Sequence, residues 1–197
     1  MARGEDVVVG GDGLARCGWG ASAPEYVGYH DDEWGRPVHG DAALFERITL
    51  EAFQSGLSWL TILRKRPAFR AAFAGFSIPA VAAFDERDHE RLMADAGIVR
   101  NRAKITATLS NARAALALAE AEGDGALDRL IWSFAPAAGR KRPRRLSDLQ
   151  ATTPESVALA KELKRRGFVF VGPTTAHAGM QACGLVDDHL EGCHRAS

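Results

Sequence analysis

The chain has 197 residues, long enough for one domain with a real core, and its 25 basic side chains are balanced by 25 acidic ones, which excludes a global field steering it to nucleic acid. Three cysteines, an odd number at low density, exclude a disulfide framework. No apolar run reaches membrane-span length, and residues 1–16, rich in Gly and Asp, have no signal-peptide core. The expectation is an intracellular, cytoplasmic protein with a flexible tail over 1–15 and one two-lobed domain over 16–197. Positive charge is local: Arg64 to Arg66, Arg100 to Lys104, residues 139–145, and Lys161 to Arg166. Each reads as a binding patch or, more commonly, as a solvated face.

From Arg16 to Pro37 periodicity is poor. Cys17, Trp19, Tyr26, Tyr29, His30 and Trp34 crowd together, which predicts a shaped loop with about one turn of helix. The central stretch is Asp41 to Trp59. Asp41 reads as an N-cap and Gly56 as the stop of a helix, with Leu44, Phe45, Ile48, Ala52 and Ser55 on one face and Leu50 and Phe53 widening it. An acid, Glu51, falls on that apolar face. A carboxylate there must find a partner, take up a proton or meet a ligand. Two readings stand: an edge pair with Arg47 one turn earlier, or a pocket in which a base stacks on Trp59 while Glu51 reads its edge.

Helices follow in series, so the fold class is all-α. The helix resumes from Trp59 to Lys65, and Pro67 opens a segment through Phe73. Ser77-Ile78-Pro79 starts a short helix, and Asp85 starts another that stops at Gly97. Asn101 to Glu122 is a long helix, with Ile105, Leu109, Ala112 and Leu116 on one stripe. A short helix over Leu127 to Phe134, a start at Ser147, a helix from Thr153-Pro154 to Arg166, and a last one from Pro173 to Cys183 complete the series. Phe168 to Val171 is too isolated for a strand and reads as a buried connector.

Two constellations carry chemistry. Cys17 and His30 near the start, with His189 and Cys193 near the end, make a Cys2His2 set. His-x3-Cys would place the last two on one side of a helical turn. Four protein ligands leave no open position, so a zinc here would be structural; chance placement is the competing reading. The other is Leu92 to Ile105. A helix ends at Gly97 and a new one begins near Arg100, whose free N–H groups beside Arg102 and Lys104 suit a phosphate. Gly97-Ile98 followed by Ala103 is a partial helix-hairpin-helix match, with Val99 in place of its second glycine. An ordinary helix connection is the alternative.

Several blocks in order carry a family resemblance. They are Arg16-Cys17-Gly18-Trp19, Tyr29-His30-Asp31-x-Glu33-Trp34-Gly35, Leu50-Glu51 with Gly56-Leu57-Ser58-Trp59, Asp95-Ala96-Gly97-Ile98, Arg166-Gly167-Phe168 with Phe170-Val171-Gly172, and Met180 to Val186 with Asp188-His189. From Arg16 to Cys193 the chain resembles bacterial DNA-3-methyladenine glycosylase I. The resemblance implies a helix-hairpin-helix glycosylase fold with a lobe joining the termini around one structural Zn2+, held by Cys17, His30, His189 and Cys193. It implies a base pocket of Glu51, Tyr29 and Trp59 walled by Trp19 and Trp34, with Glu51 as the catalytic candidate. Gly56 and Leu57 would enter the DNA stack, and Gly97, Arg100, Arg102 and Lys104 would hold the backbone. The superfamily's usual acid after the hairpin is missing from Ile131-Trp132-Ser133-Phe134, and no lysine is placed for a lyase step.

The implied partners are double-stranded DNA carrying alkylated bases and free 3-methyladenine, with no membrane. The protein is expected to be a monomer that joins the nucleoid during repair. A non-catalytic damage binder on the same fold, or an unrelated zinc hydrolase, are the rival functions.

Overall fold

The computed structural model describes residues 6–137 and 140–196. Among these, a hairpin of β1 (Val7–Val9) and β2 (Ala15–Cys17) precedes nine helices: α1 (Pro24–Asp32), α2 (Asp41–Gln54), α3 (Trp59–Ala72), α4 (Ile78–Ala82), α5 (Glu86–Ala94), α6 (Arg102–Glu122), α7 (Ala126–Trp132), α8 (Pro154–Arg165) and α9 (Pro173–Ala182). The mostly helical class agrees with expectation. Of the tail expected over 1–15, residues 1–5 lie outside the described residues, but from there on it differs from expectation: Val7 pairs with Cys17 and Val9 with Ala15, antiparallel. Three consecutive valines favour extended backbone, and Val7 packs on Cys17, Leu190 and Cys193. No helix among the described residues is long and apolar enough to cross a membrane.

The α2 helix is the axis of the fold. It packs against α3, α6, α7 and α9, and Leu44, Phe45, Leu50 and Phe53 have no exposed surface. Its start differs from the sequence reading. Gly40 is the N-cap, and the Asp41 carboxylate instead accepts from the backbone N–H groups of Gly125 (3.2 Å) and Asp128 (2.9 Å). In return, Asp128 accepts from Gly40 N–H, so α2 and α7 tie down each other's N-termini. Ser55, expected on the buried face, is exposed beyond the end of α2.

Three further local expectations are corrected. α1 runs for nine residues where one turn was expected, with Pro24 presetting its first turn. α3 runs through Pro67 without a break, because buried Ile62 before it and Phe69 after it anchor both halves to one core. Of the 168–171 connector, Phe168 and Val171 are buried, but Val169 and Phe170 are exposed.

Candidate active site

Glu51 lies on the wall of α2, 7% exposed, with no hydrogen bond among the described residues. Arg47 sits one turn earlier but donates to Glu33 at 2.9 Å. Arg66 grips the same Glu33 carboxylate at 2.5 and 2.7 Å. The edge-pair reading of Glu51 therefore fails. Burial pushes the Glu51 carboxyl up to about 8, against the pull of the Arg47 charge. At Glu33 burial also opposes ionisation, but Arg66 and Arg47 override it and hold the carboxyl at about 2.

Glu51 opens onto a cleft of about 330 Å³ that all five sequence-predicted pocket residues line: Trp19, Tyr29, Trp34, Glu51 and Trp59. The Tyr29 and Trp59 rings lie 5.3 Å apart, and Trp19 meets Trp34 edge-on at 5.0 Å. Burial, with Glu51 adding to it, raises the Tyr29 phenol well above its usual value, so it stays a donor. The Trp59 indole N–H is buried without a partner. The sequence reading missed Tyr26, Gln54, Leu149, Ala178 and Gln181, which also line the cleft. Tyr26 stands one turn before Tyr29 on α1, a spacing that could have revealed it; Leu149 comes from a distant loop and had no such signal. Gln181 is fixed by donating its amide N–H to Asp188 at 2.7 Å, and Asp188 is paired with Arg140 at 2.9 Å.

Gln54 braces the turn after α2. Its carbonyl accepts from Leu57 N–H at 2.7 Å and its side-chain amide donates to the Leu57 carbonyl at 2.8 Å. Gly56 takes φ +81°, which a side chain would resist, and Leu57 is left 40% exposed at the tip.

Lys104 does not face a phosphate. Its side chain turns inward, 6% exposed, and Nζ donates to the carbonyls of Phe53 (2.8 Å) and Ser55 (2.6 Å). Those carbonyls are left unpaired by the end of α2, and the ammonium meets them more favourably than water does there. Of the remaining hairpin candidates, Arg100 and Arg102 are exposed, and Arg102 leans on His89 at 3.5 Å. Gly97 accepts from Lys65 Nζ at 3.1 Å through its carbonyl. The other basic clusters are largely paired within the chain: Arg64 with Glu25, Arg66 with Glu33, Arg165 and Arg166 with Glu162, Arg144 with Glu191.

The four Cys and His residues converge. The ligand atoms of Cys17, His30 and Cys193 lie within 4.8 Å of one another, and the His189 ring centre is 4.9 Å from that of His30. His189 falls outside the tightest group. It meets Cys193 through an irregular turn, closed by Cys193 N–H to the Leu190 carbonyl at 3.0 Å, instead of the helical turn expected. Asp31 binds His30 Nδ1 at 2.7 Å and Asp187 binds His189 Nδ1 at 2.7 Å. That leaves both Nε2 atoms for the centre, where His189 Nε2 is buried with no partner. The sulfur atoms accept backbone N–H groups, Cys17 from Leu190 at 3.3 Å and Cys193 from Arg195 at 3.4 Å. His194 also lies close, but Asp31 engages its Nε2 at 2.9 Å. Two glycines let the chain press on the imidazoles. A Cβ on Gly20 would stand 2.5 Å from the His30 ring, and one on Gly35 2.8 Å from His189. Trp19 and Trp34 then rest edge-on against His30 (5.3 Å) and His189 (4.7 Å), so this cluster backs the wall of the cleft.

A cleft of five large aromatics around one buried, unpaired carboxylate, beside an exposed leucine on a braced turn, has the chemistry to suit a single planar, electron-poor ring. The chain belongs to the methyladenine glycosylase family, whose model matches residues 19–196. It is 48% identical over 181 residues to DNA-3-methyladenine glycosylase 1 of Escherichia coli (strain K12), covering 91% of this chain and 96% of that protein. A crystal structure of a 3-methyladenine DNA glycosylase I superposes with a TM-score of 0.86 at 47% identity, covering 92% of this chain and all of that one. The Staphylococcus aureus enzyme, solved to explain 3-methyladenine recognition, superposes with a TM-score of 0.84 at 36% identity, covering 91% and 95%.

Proposed function

We propose that this protein excises 3-methyladenine from alkylated DNA by hydrolysing the N-glycosyl bond, with no lyase step. The observation that carries the reading is Glu51, a buried carboxylate left unpaired by Arg47 and set among aromatic rings. A base alkylated at N3 is cationic, so its glycosidic bond is already weak and the leaving group needs no added proton. The protein's task is to extrude the nucleotide, select the cation and stabilise the separating charges.

Each residue has a part in that task. Trp59 stacks on the ring, a favourable contact for a cation once water is excluded. Glu51 accepts from the exocyclic amine and complements the charge. Tyr29 donates to the base edge, while Trp19 and Trp34 bound the pocket. Leu57 fills the space the base vacates. Gly97, with Arg100 and Arg102 at the start of α6, meets the DNA backbone in a helix-hairpin-helix manner. Lys104 is removed from that set.

Cys17, His30, His189 and Cys193 fit a zinc ion, since both imidazoles are oriented by carboxylates and one Nε2 is otherwise orphaned. When bound, the ion closes the two chain ends into one lobe and supplies folding energy. The residues around it hold Trp19 and Trp34 in place.

The test is release of free base from methylated duplex DNA, followed by chromatography. Release of 3-methyladenine with the strand left intact is expected. Tight binding to damaged DNA without release would replace this reading with that of a damage binder.

A further inference from the structure

Most large apolar side chains of this protein are buried, but Leu57, Val169 and Phe170 are 40%, 46% and 44% exposed. Val9, Leu14 and Val157, also exposed, belong to the N-terminal hairpin and α8. The sequence distance between Leu57 and Phe170 is large, yet Lys104 joins them. Its Nζ donates to the Ser55 carbonyl, two residues before Leu57, and lies 6.0 Å from the centre of the Phe170 ring.

The loop that carries Phe170 is held in shape. Asn111, 2% exposed on α6, binds both backbone groups of Val169. Its Nδ2 donates to the Val169 carbonyl at 3.0 Å and its Oδ1 accepts from Val169 N–H at 2.8 Å. Phe170 then takes φ +62°, a left-handed conformation that a bulky side chain resists. Such strain persists only where the surroundings impose it, and it gathers at functional clamps. Covering Lys104 would account for one contact of the Phe170 ring. It accounts neither for the exposure that remains nor for Val169 beside it.

We propose that the 168–171 loop is a second apolar contact with DNA, in which Phe170 stacks on a base that Leu57 has helped to unstack. Every base offers a π-face, so the contact is tolerant of sequence, as a repair protein requires. Extruding one nucleotide breaks stacking on both of its sides, and an aromatic ring linked to the leucine turn through Lys104 gives an exposed base a new partner. The inference rests on the glycosylase reading for the choice of DNA as occupant.

The experiment uses the full chain and duplexes with one tetrahydrofuran abasic site. A 2-aminopurine is placed in turn at each position opposite and beside the site. Phe170→Ala should bind the duplex about tenfold more weakly than wild type. At one probe position it should lose the fluorescence rise that reports an unstacked base. Phe170→Tyr should restore both, and Val169→Ser should weaken binding to a smaller degree. Binding of free 3-methyladenine and the melting temperature should stay at wild-type values in all three.

Unchanged duplex affinity in Phe170→Ala overturns the inference, as does a weakened affinity with an unaltered fluorescence pattern. Loss of free-base binding or of thermal stability would make Phe170 a structural cover for Lys104 and overturn it equally. Base release by wild type is measured in parallel. Release with no Phe170 effect sinks only this inference, whereas no release sinks the glycosylase reading and leaves the duplex measurements to judge the loop.

Discussion

Arg47 and Glu51 stand one helical turn apart on α2 and do not pair, because Arg47 is drawn 2.9 Å from Glu33 and shares that anion with Arg66. Two cations on one carboxylate leave the other carboxylate free in a dry wall. The ion cluster beside the cleft thus leaves Glu51 without a hydrogen-bonded cation, as its proposed role toward a cationic base requires.

Removing that competition has a directed effect. Glu33→Gln leaves Arg47 without its anion, and Glu51 is the next acceptor within its reach. Glu51 should then titrate well below about 8, by roughly 1–3 units for an opposite charge in contact. On the proposed role of Glu51, which needs its ionised form, kcat/KM in wild type should rise as pH increases through about 8. In Glu33→Gln the rise should come at lower pH. An identical pH profile in the two proteins would disprove the competition.

Glu51 also links function to stability. Its folded value of about 8 lies above its ordinary 4.5, so between these the folded state holds the proton more tightly than the unfolded chain does. Stability therefore falls as pH rises across that window. Glu51→Gln should be more stable than wild type at pH 8, by on the order of 2–4 kcal/mol, and nearly equal at pH 4.5. It should bind free 3-methyladenine about tenfold to a hundredfold more weakly, since a hydrogen bond to a charged group is lost. Thermal melts at both pH values and one titration check this; equal affinities would remove Glu51 from the pocket.

For the Cys and His cluster, elemental analysis of purified protein should give about one zinc per chain. Chelation, or Cys193→Ala, should lower the melting temperature and weaken free-base binding in parallel, since Trp19 and Trp34 lean on His30 and His189. Metal-free protein with full stability would count against the assignment.

Lys104→Met keeps the stem and deletes the ammonium that meets the Phe53 and Ser55 carbonyls. It should cost about 1–3 kcal/mol of stability and slow release from duplex DNA by loosening the Leu57 turn. The slope of log affinity against log salt should not change, because no phosphate contact is lost. A slope shallower by about one would restore Lys104 to the DNA backbone.

Much of the site is legible in the residues themselves. Helical spacing and turn residues, which are local signals, mark α2 as the central helix and set Glu51 near Trp59, while the family resemblance adds Trp19, Tyr29 and Trp34; all five reach one cleft. Other features are hidden from the sequence. Val7 to Val9 read as tail because a strand is visible only once its partner is known. Asp41 looks like the cap of its own helix and serves α7 instead, 84 residues on. Lys104 looks like a phosphate ligand because a lysine at a helix start offers the same charge whether it points out or in.

The sequence alone determined the helical class and the placing of α2, which follow from residue type and short-range spacing; it offered the Cys2His2 residues by their chemistry, and the full aromatic set through the family resemblance of its motifs. Only the tertiary structure decided which charges meet. Arg47 chose Glu33 over Glu51, Lys104 chose the end of α2 over solvent, and Phe170 came to lie beside Lys104. The reason is physical. Spacing along the chain fixes the face on which a side chain stands, but the partner of a buried charge is set by burial and by the groups that packing brings within a few ångströms.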